Sequence, residues 1–473
     1  MNDLPKAGSH IHLIAICGVG MASLAGLLQA RGYRVTGSDQ NIYPPMSTYL
    51  GEIGIAVQAG FRPEHIRARP DLAVIGNAVT RDNPEAQAVL AGNIPYISFP
   101  QALGSFLIGS RMSTVVAGTH GKTSTAALAA WVWSVAGLDP GFFVGGVPIN
   151  FGSGWKVGAG NHVIIEGDEY DTAFFDKGPK FLHYRPGQVI LTSIEFDHAD
   201  IYRDLAHVKS AFLRLMEIIP SDGCLVVCSD YRAALEVSAA AGCRTITYGD
   251  AARADWNASA VEFTAGRTFF TPCYRGKAEE RIEAAVIGRH NVNNALAVYA
   301  LGRLMGVESA TLQEGLRSFA GVKRRQEIRG ESRGVVVIDD FAHHPTAVRE
   351  TIEAVRAAYP RHTVWAVFEP RSNTSKRNIF EREFAEALAL ADKVLVAPVY
   401  QPEKVAADER LTVENVVRAI DRLRGKTCAR AVSGVPEIAR RIGEEAQAGD
   451  VILVMSNGGF DNVHQKILQA LAA

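Results

Sequence analysis

The segment Val115-Val116-Ala117-Gly118-Thr119-His120-Gly121-Lys122-Thr123-Ser124-Thr125 carries an apolar run into a glycine-bearing turn that closes on Gly-Lys-Thr. These residue types suit a nucleoside triphosphate. Glycines let backbone N–H groups close on phosphate oxygens, a lysine neutralises the β- and γ-phosphates, and a threonine hydroxyl ligates Mg²⁺. Contacts are expected from Gly118, Thr119, His120, Gly121, Lys122, Thr123 and Ser124. A helix N-terminus adds only about 0.3–1 kcal/mol toward an anion, so Lys122 and the metal must supply most of the neutralisation. The spacing is unusual: a standard phosphate loop keeps four residues between its glycines, but here Val116 holds the first glycine's place and Gly118 comes two residues later.

Two acidic runs follow apolar segments downstream, Glu166-Gly167-Asp168-Glu169-Tyr170-Asp171 and Glu195-Phe196-Asp197-His198-Ala199-Asp200. Carboxylates and an imidazole at strand ends beside a phosphate loop are placed to hold a hard cation, although a lone acidic run is ordinarily a solvated loop. Near the N-terminus, Gly18-Val19-Gly20-Met21-Ala22-Ser23 with Asp39 behind it imitates a dinucleotide fingerprint whose third glycine is replaced by Ser23. A pyrophosphate on the turn and a ribose hydroxyl on the acid would fit both NAD and a nucleotide sugar.

Further polar clusters close the series. His290-Asn291-Val292-Asn293-Asn294-Ala295 reads most simply as an Asn-rich helix cap, and its amides also match an adenine edge. Lys323-Arg324-Arg325 is a solvated linker run or a hinge that brings an arginine to the γ-phosphate. Three loops, around Asp339-Asp340-Phe341-Ala342-His343-His344, Glu369-Pro370-Arg371-Ser372-Asn373 and Ser456-Asn457-Gly458-Gly459, each follow an apolar strand candidate and imply a pocket on one sheet edge.

The elements that must position these groups read as three α/β blocks. The first begins with a strand at 11–17, a helix at about 21–31 and a strand at 34–37, a βαβ unit; strands at 72–75 and 96–98 and a helix-like 100–108 lead to a boundary at 110. The second, 111–325, holds strands at 163–165, 189–192 and 225–228 and a more alternating, antiparallel stretch at about 259–285. The third, 326–473, carries strands at 335–339, 363–368, 393–397 and 451–455. The expected class is therefore α/β: a Rossmann-like N-terminal domain, a central ATP-binding domain with a mainly parallel sheet, and a Rossmann-like C-terminal domain.

Composition excludes several functions. With 49 basic and 50 acidic side chains in 473 residues, no net field favours nucleic acid or an anionic membrane. The six cysteines, Cys17, Cys224, Cys228, Cys243, Cys273 and Cys428, lack metal-type pairing and read as reduced, which suits the cytoplasm. Residues 1–10 carry no leader pattern, and no apolar run approaches a membrane span of about 18 residues.

In this order, segments 118–125, 166–171, 195–200, 290–295, 321–325 and 339–345 resemble the Mur ligases, ATP-dependent amide-forming enzymes of bacterial peptidoglycan metabolism. The likeness covers essentially the whole chain, and the short phosphate loop is the family's own form. The Gly-Val-Gly-Met turn with Gly37-Ser38-Asp39 resembles the branch that binds UDP-N-acetylmuramate rather than NAD, which implies contacts from Gly18, Gly20, Met21, Ser38 and Asp39. Segments 41–48, 168–176, 368–374 and 456–460 are most similar to the branch that attaches the intact L-alanyl-γ-D-glutamyl-meso-diaminopimelate tripeptide in peptidoglycan recycling. The alanine-adding biosynthetic branch is the alternative, and a nicotinamide-dependent oxidoreductase or a non-catalytic nucleotide switch are remote ones.

The resemblance implies a mechanism and its residues. The lactyl carboxylate of the muramate attacks the γ-phosphate, and the peptide's alanine amine displaces phosphate from the acyl phosphate. Lys122, Glu166, His198, Arg325 and His344 are the implied catalytic groups, with Thr123, Glu166 and His198 on Mg²⁺. His290, Asn291, Asn294, Arg325 and Asp340 would complete the ATP site, and Arg371, Ser372, Asn373 and Asn457 would meet the peptide. Arg371 is the expected carboxylate clamp, because a guanidinium binds bidentately. Several Mur ligases bridge magnesium with a carbamoylated lysine about fifteen residues past the histidine. Leu213 stands at that offset and Lys209 is out of phase, so none is expected here.

Overall fold

The computed structural model describes residues 4–250, 254–264 and 266–473. Residues 1–3, part of the stretch read for a leader, and Ala265, within the alternating stretch, lie outside the described residues. Three large sheets occur in succession, of the kind that alternating strand and helix patterns build, and a two-stranded hairpin, Asp171–Ala173 with Asp176–Pro179, stands apart from them.

The first sheet is all parallel, in the order Val57–Ala59, Arg34–Asp39, His10–Ile14, Leu72–Ile75, Tyr96–Ser98. Its central strand is buried along its length, as a strand covered on both faces must be. That strand stops at Ile14 rather than running to Cys17, because Ala15 takes a left-handed backbone at φ 67°. The helix-like stretch before the boundary is a short α-turn, Phe99–Ala102, continued by a π-helix over Leu103–Ile108.

In the central sheet the phosphate-loop strand Met112–Ala117 lies between the parallel strands His162–Gly167 and Pro186–Leu191. Three loops, 118–121, 168–170 and 192–204, therefore leave side by side from one carboxyl edge, which brings distant sequence segments to one place. The alternating stretch forms the antiparallel strands Trp256–Thr264, Arg267–Tyr274 and Ile282–Ala284 at one side of this sheet.

The third sheet runs Glu327–Ser332, Val335–Asp340, Val451–Met455, Val364–Phe368, Lys393–Val396, Ala429–Ala431, and only its first strand is antiparallel. Its carboxyl-edge loops carry Asp340 to His344, Glu369 to Arg377 and Ser456 to Gly459. One apolar core joins the first two domains, from Ile11 and Leu24 through Phe106 to Phe181 and Phe212, and separate cores flank the third sheet. Among the described residues, no helix is long and apolar enough to cross a membrane.

Candidate active site

The phosphate loop folds tightly over the neighbouring strand end. Gly118 has φ 135°, and a Cβ there would stand 2.2 Å from Thr192 Oγ1, so only glycine fits. Thr119 N–H donates to Ser193 O at 3.0 Å and His120 N–H to Ser193 Oγ at 2.8 Å. The helix Lys122–Val135 starts from Gly121 with no side-chain cap, leaving its first-turn N–H groups for an anion.

Lys122 is 13% exposed and donates to Gly118 O at 2.6 Å and to Glu169 at 2.8 Å, with Glu169 itself only 2% exposed. Burial opposes the charge on Lys122, but Glu169, Asp168 and Glu166 outweigh it and raise its pKa. His198 Nε2 lies 3.2 Å from the other Glu169 oxygen. Glu169 thus organises both the phosphate lysine and the imidazole. It was not singled out in the sequence because its neighbours Glu166, Asp168 and Asp171 offer the same chemistry; burial distinguishes it.

Thr123 Oγ1 donates to Glu166 Oε1 at 2.9 Å, and Glu166 Oε2 accepts from Gly145 N–H at 2.6 Å. A hydroxyl and a carboxylate in contact, with an imidazole on the adjacent loop, form a donor set that fits a hard divalent cation. Arg325 reaches Thr123 Oγ1 at 3.3 Å, while Arg324 donates to the carbonyls of Ser456 and Gly458 at 2.7 Å each. The basic run is therefore divided: Arg325 reaches the threonine of the phosphate loop, and Arg324 anchors the C-terminal domain. At the offset linked to carbamoyl-lysine, Leu213 is exposed, and Lys209 forms an ion pair with Glu236.

The loop 195–200 meets the C-terminal domain repeatedly. Thr374 donates to Asp197 Oδ1, Asn373 donates to Asp200 Oδ2 at 2.9 Å, and His344 Nε2 lies 3.2 Å from Phe196 O. His120 Nε2 is 2.7 Å from Glu195 Oε2, and its ring stacks on His344 with centroids 4.6 Å apart. Burial works against the Glu195 charge, but the hydrogen bond and charge of His120 prevail and hold its carboxyl at about 2. Burial and then the neighbouring His120 charge push His344 down to about 4.

A cavity of about 350 Å³ between the central and C-terminal domains is lined by Ser124, Asn291, Asn294, Phe319 and Arg325. The helix cap expected at His290 is corrected here. The helix Arg289–Leu304 starts from Gly288 without a side-chain cap, so Asn291 and Asn294 sit inside its first turns and face this cavity. His290 lines a neighbouring cleft instead, with Tyr231 and Glu350. Asp340 accepts from the N–H groups of Gln326 and Ala342 and fixes the hinge backbone.

A second cavity, of about 500 Å³, opens over the first sheet beside Cys17, Gly18, Gly20, Met21 and Asp39. Asp39 accepts from the N–H groups of Cys17 and Asn41, both at 2.8 Å, so it holds the glycine turn in shape. Ser38 is not part of this wall: it is fully buried, and its hydroxyl donates to Glu85 below the sheet. Lys180, from the central domain, closes the cavity and was not anticipated, because its segment carries no motif.

In the C-terminal loops, Arg371 stacks 3.6 Å over the Tyr400 ring and lies 3.5 Å from Glu369. Ser372 bonds to Ser375, and Asn457 Oδ1 is buried without a hydrogen-bond partner.

Three successive domains, with a phosphate loop between acidic strand ends and a hinge arginine closing on it, define an ATP-dependent ligase of the Mur type, and the chain belongs to the Mur ligase family. Its family models match in order: the Mur ligase family catalytic domain at 10–111, the Mur ligase middle domain at 116–302 and the Mur ligase glutamate ligase domain at 324–458. The chain is 41% identical over 98% of both lengths to the UDP-N-acetylmuramate–L-alanyl-γ-D-glutamyl-meso-2,6-diaminoheptandioate ligase of Escherichia coli. A UDP-N-acetylmuramate–L-alanine ligase of Anaeromyxobacter dehalogenans is 34% identical over 98% of this chain and 97% of its own. The crystal structure of a murein peptide ligase from Psychrobacter arcticus is similar at 36% identity and TM-score 0.71, covering 98% of this chain and 99% of that one.

Proposed function

We propose that this enzyme uses ATP and Mg²⁺ to join L-alanyl-γ-D-glutamyl-meso-diaminopimelate to the lactyl carboxylate of UDP-N-acetylmuramate, in peptidoglycan recycling. The observation that carries this reading is the 41% identity to the tripeptide ligase, against 34% to the alanine ligase, each across nearly the full chain.

The side chains support a division of labour. The 500 Å³ cavity takes the UDP-sugar on the Gly18–Gly20 turn, and Asp39 and Lys180 stand where ribose and pyrophosphate need an acceptor and a cation. Asn291 and Asn294 supply the adenine edge, and Lys122 with Arg325 neutralises the phosphates. Thr123, Glu166 and His198 would hold Mg²⁺, which when bound neutralises charge on the transferring phosphoryl group. Arg325 stabilises that group as the muramate carboxylate attacks it. The peptide amine then attacks the acyl phosphate carbonyl, and phosphate leaves. Arg371, Ser372 and Asn457 stand on the peptide side of the cleft.

The test is ADP release and product mass with ATP, Mg²⁺ and UDP-N-acetylmuramate, offering L-alanine and the tripeptide separately. Tripeptide preference is the expected result. Preference for alanine would transfer the enzyme to the biosynthetic branch, and no amine-dependent turnover would remove the ligase reading for this chain.

A further inference from the structure

We infer that Lys376 is the charged floor of an anion subsite that takes a carboxylate of the acceptor peptide. Lys376 sits in a turn of the loop that follows strand Val364–Phe368, against the loop that follows Lys393–Val396, on the carboxyl edge of the third sheet. It is only 5% exposed. Among the described residues its ammonium has no hydrogen-bond or ion-pair partner, although it is not sealed from solvent. Its stem is buried while the ammonium keeps contact with solvent, so the charge is held in place and open to an incoming anion.

The surroundings add positive charge. Burial is the main cause that lowers the Lys376 pKa, and the positive charges of Lys404, Arg377 and Arg371 add to it; Glu403 is the nearby acid that offsets them. Arg371 is held by the Tyr400 ring and by Glu369, so its charge is partly engaged, whereas that of Lys376 is not. The position is not slack either. Lys376 N–H donates to Ser372 O at 3.1 Å, its carbonyl accepts from Leu411 N–H at 2.8 Å, and Tyr400 N–H donates to Pro370 O at 2.9 Å. Two loops stitched together around an unneutralised ammonium are a preformed place for an anion.

The inference rests on the acceptor proposed above, whose γ-linked glutamate and diamino diacid leave three free carboxylates beyond the reacting amine. Those are the anions that come to this edge of the domain. Lys376 is a specificity residue, since it meets the acceptor away from the reacting atoms.

The experiment compares wild type with Lys376→Met, and with Lys376→Gln as a second variant should the first fold poorly. Each is assayed with the tripeptide and with tripeptides amidated at one carboxylate at a time. We expect the tripeptide KM to rise tenfold or more, with the KM values for ATP and UDP-N-acetylmuramate within twofold of wild type. Amidation of the matching carboxylate should weaken the wild type and leave the variant unaffected. The variant's thermal midpoint should match that of wild type, because the ammonium makes no hydrogen bond or ion pair within the described residues. An unchanged tripeptide KM with a lowered midpoint would make Lys376 a structural residue and overturn the inference alone. Wild-type protein that ignores the tripeptide would overturn the proposed function and this subsite together.

Discussion

Thr374 of the C-terminal domain donates its hydroxyl hydrogen to Asp197 of the central domain across 2.6 Å. The same carboxylate oxygen accepts the backbone N–H of His198 at 2.7 Å and holds that residue at φ 55°. The C-terminal domain therefore touches the residue that positions His198, one of the proposed metal donors. Thr374→Val removes a hydrogen bond to a charged group, worth about 1.5–3 kcal/mol, and should lower kcat by about ten- to a hundredfold. Steady-state assays should show little change in the KM for ATP, and Thr374→Ser should restore the rate. Equal activity in the valine variant would dissociate domain contact from His198.

Lys122→Ala should abolish amide formation, and it should also destabilise the protein. Removing one partner of a buried ion pair leaves Glu169 short of a counter-charge, at a cost of about 3 kcal/mol. Urea titrations should recover part of that loss when Glu169→Gln is added, because the orphaned charge is then gone. A Lys122→Ala protein as stable as wild type would show that His198 alone compensates Glu169.

The acid limb of stability should begin near neutrality. With a folded pKa of about 4 against an unfolded value near 6.5, His344 takes up a proton on unfolding. Its stabilising contribution is present above about 6.5 and is lost as pH falls toward 4, at up to about 1.4 kcal/mol per pH unit. Glu195 follows the depressed-carboxylate case: its share is present above its unfolded value and lost as pH falls through about 2. His344→Asn keeps a helix-capping side chain, so denaturation across pH 4–7 should lose the first slope only.

Gly458→Ala is a probe of the peptide side that leaves every charge in place. A Cβ at Gly458 would come within 1.9 Å of Arg371 Nε, so the guanidinium must leave the Tyr400 ring. The tripeptide KM should rise about tenfold, as it should for Arg371→Ala, with the ATP KM unchanged. A rise in both KM values would place the disturbance at the hinge instead.

The strands and the phosphate loop were legible because each is local. Apolar runs such as Val163 to Ile165 end at polar clusters, and the Gly-Lys-Thr turn has one chemical meaning. Partner choice was not legible. Asn373 reads as a peptide contact but donates to Asp200, and Ser38 reads as a sugar contact but lies beneath the sheet on Glu85. Both depend on which loop crosses from another domain or which face of a strand is covered, and neither fact is written in nearby residues. Burial sets Glu169 and Lys376 apart, and the cavity it lines sets Lys180 apart, and residue type reveals neither.

The exposed Leu213 and the surface pair Lys209–Glu236 carry a consequence for physiology. A carbamate on lysine forms from dissolved carbon dioxide and decays when that gas is scarce or the medium turns acidic. With the proposed donors Thr123, Glu166 and His198 and no lysine at that offset, turnover should be the same in degassed buffer as in air.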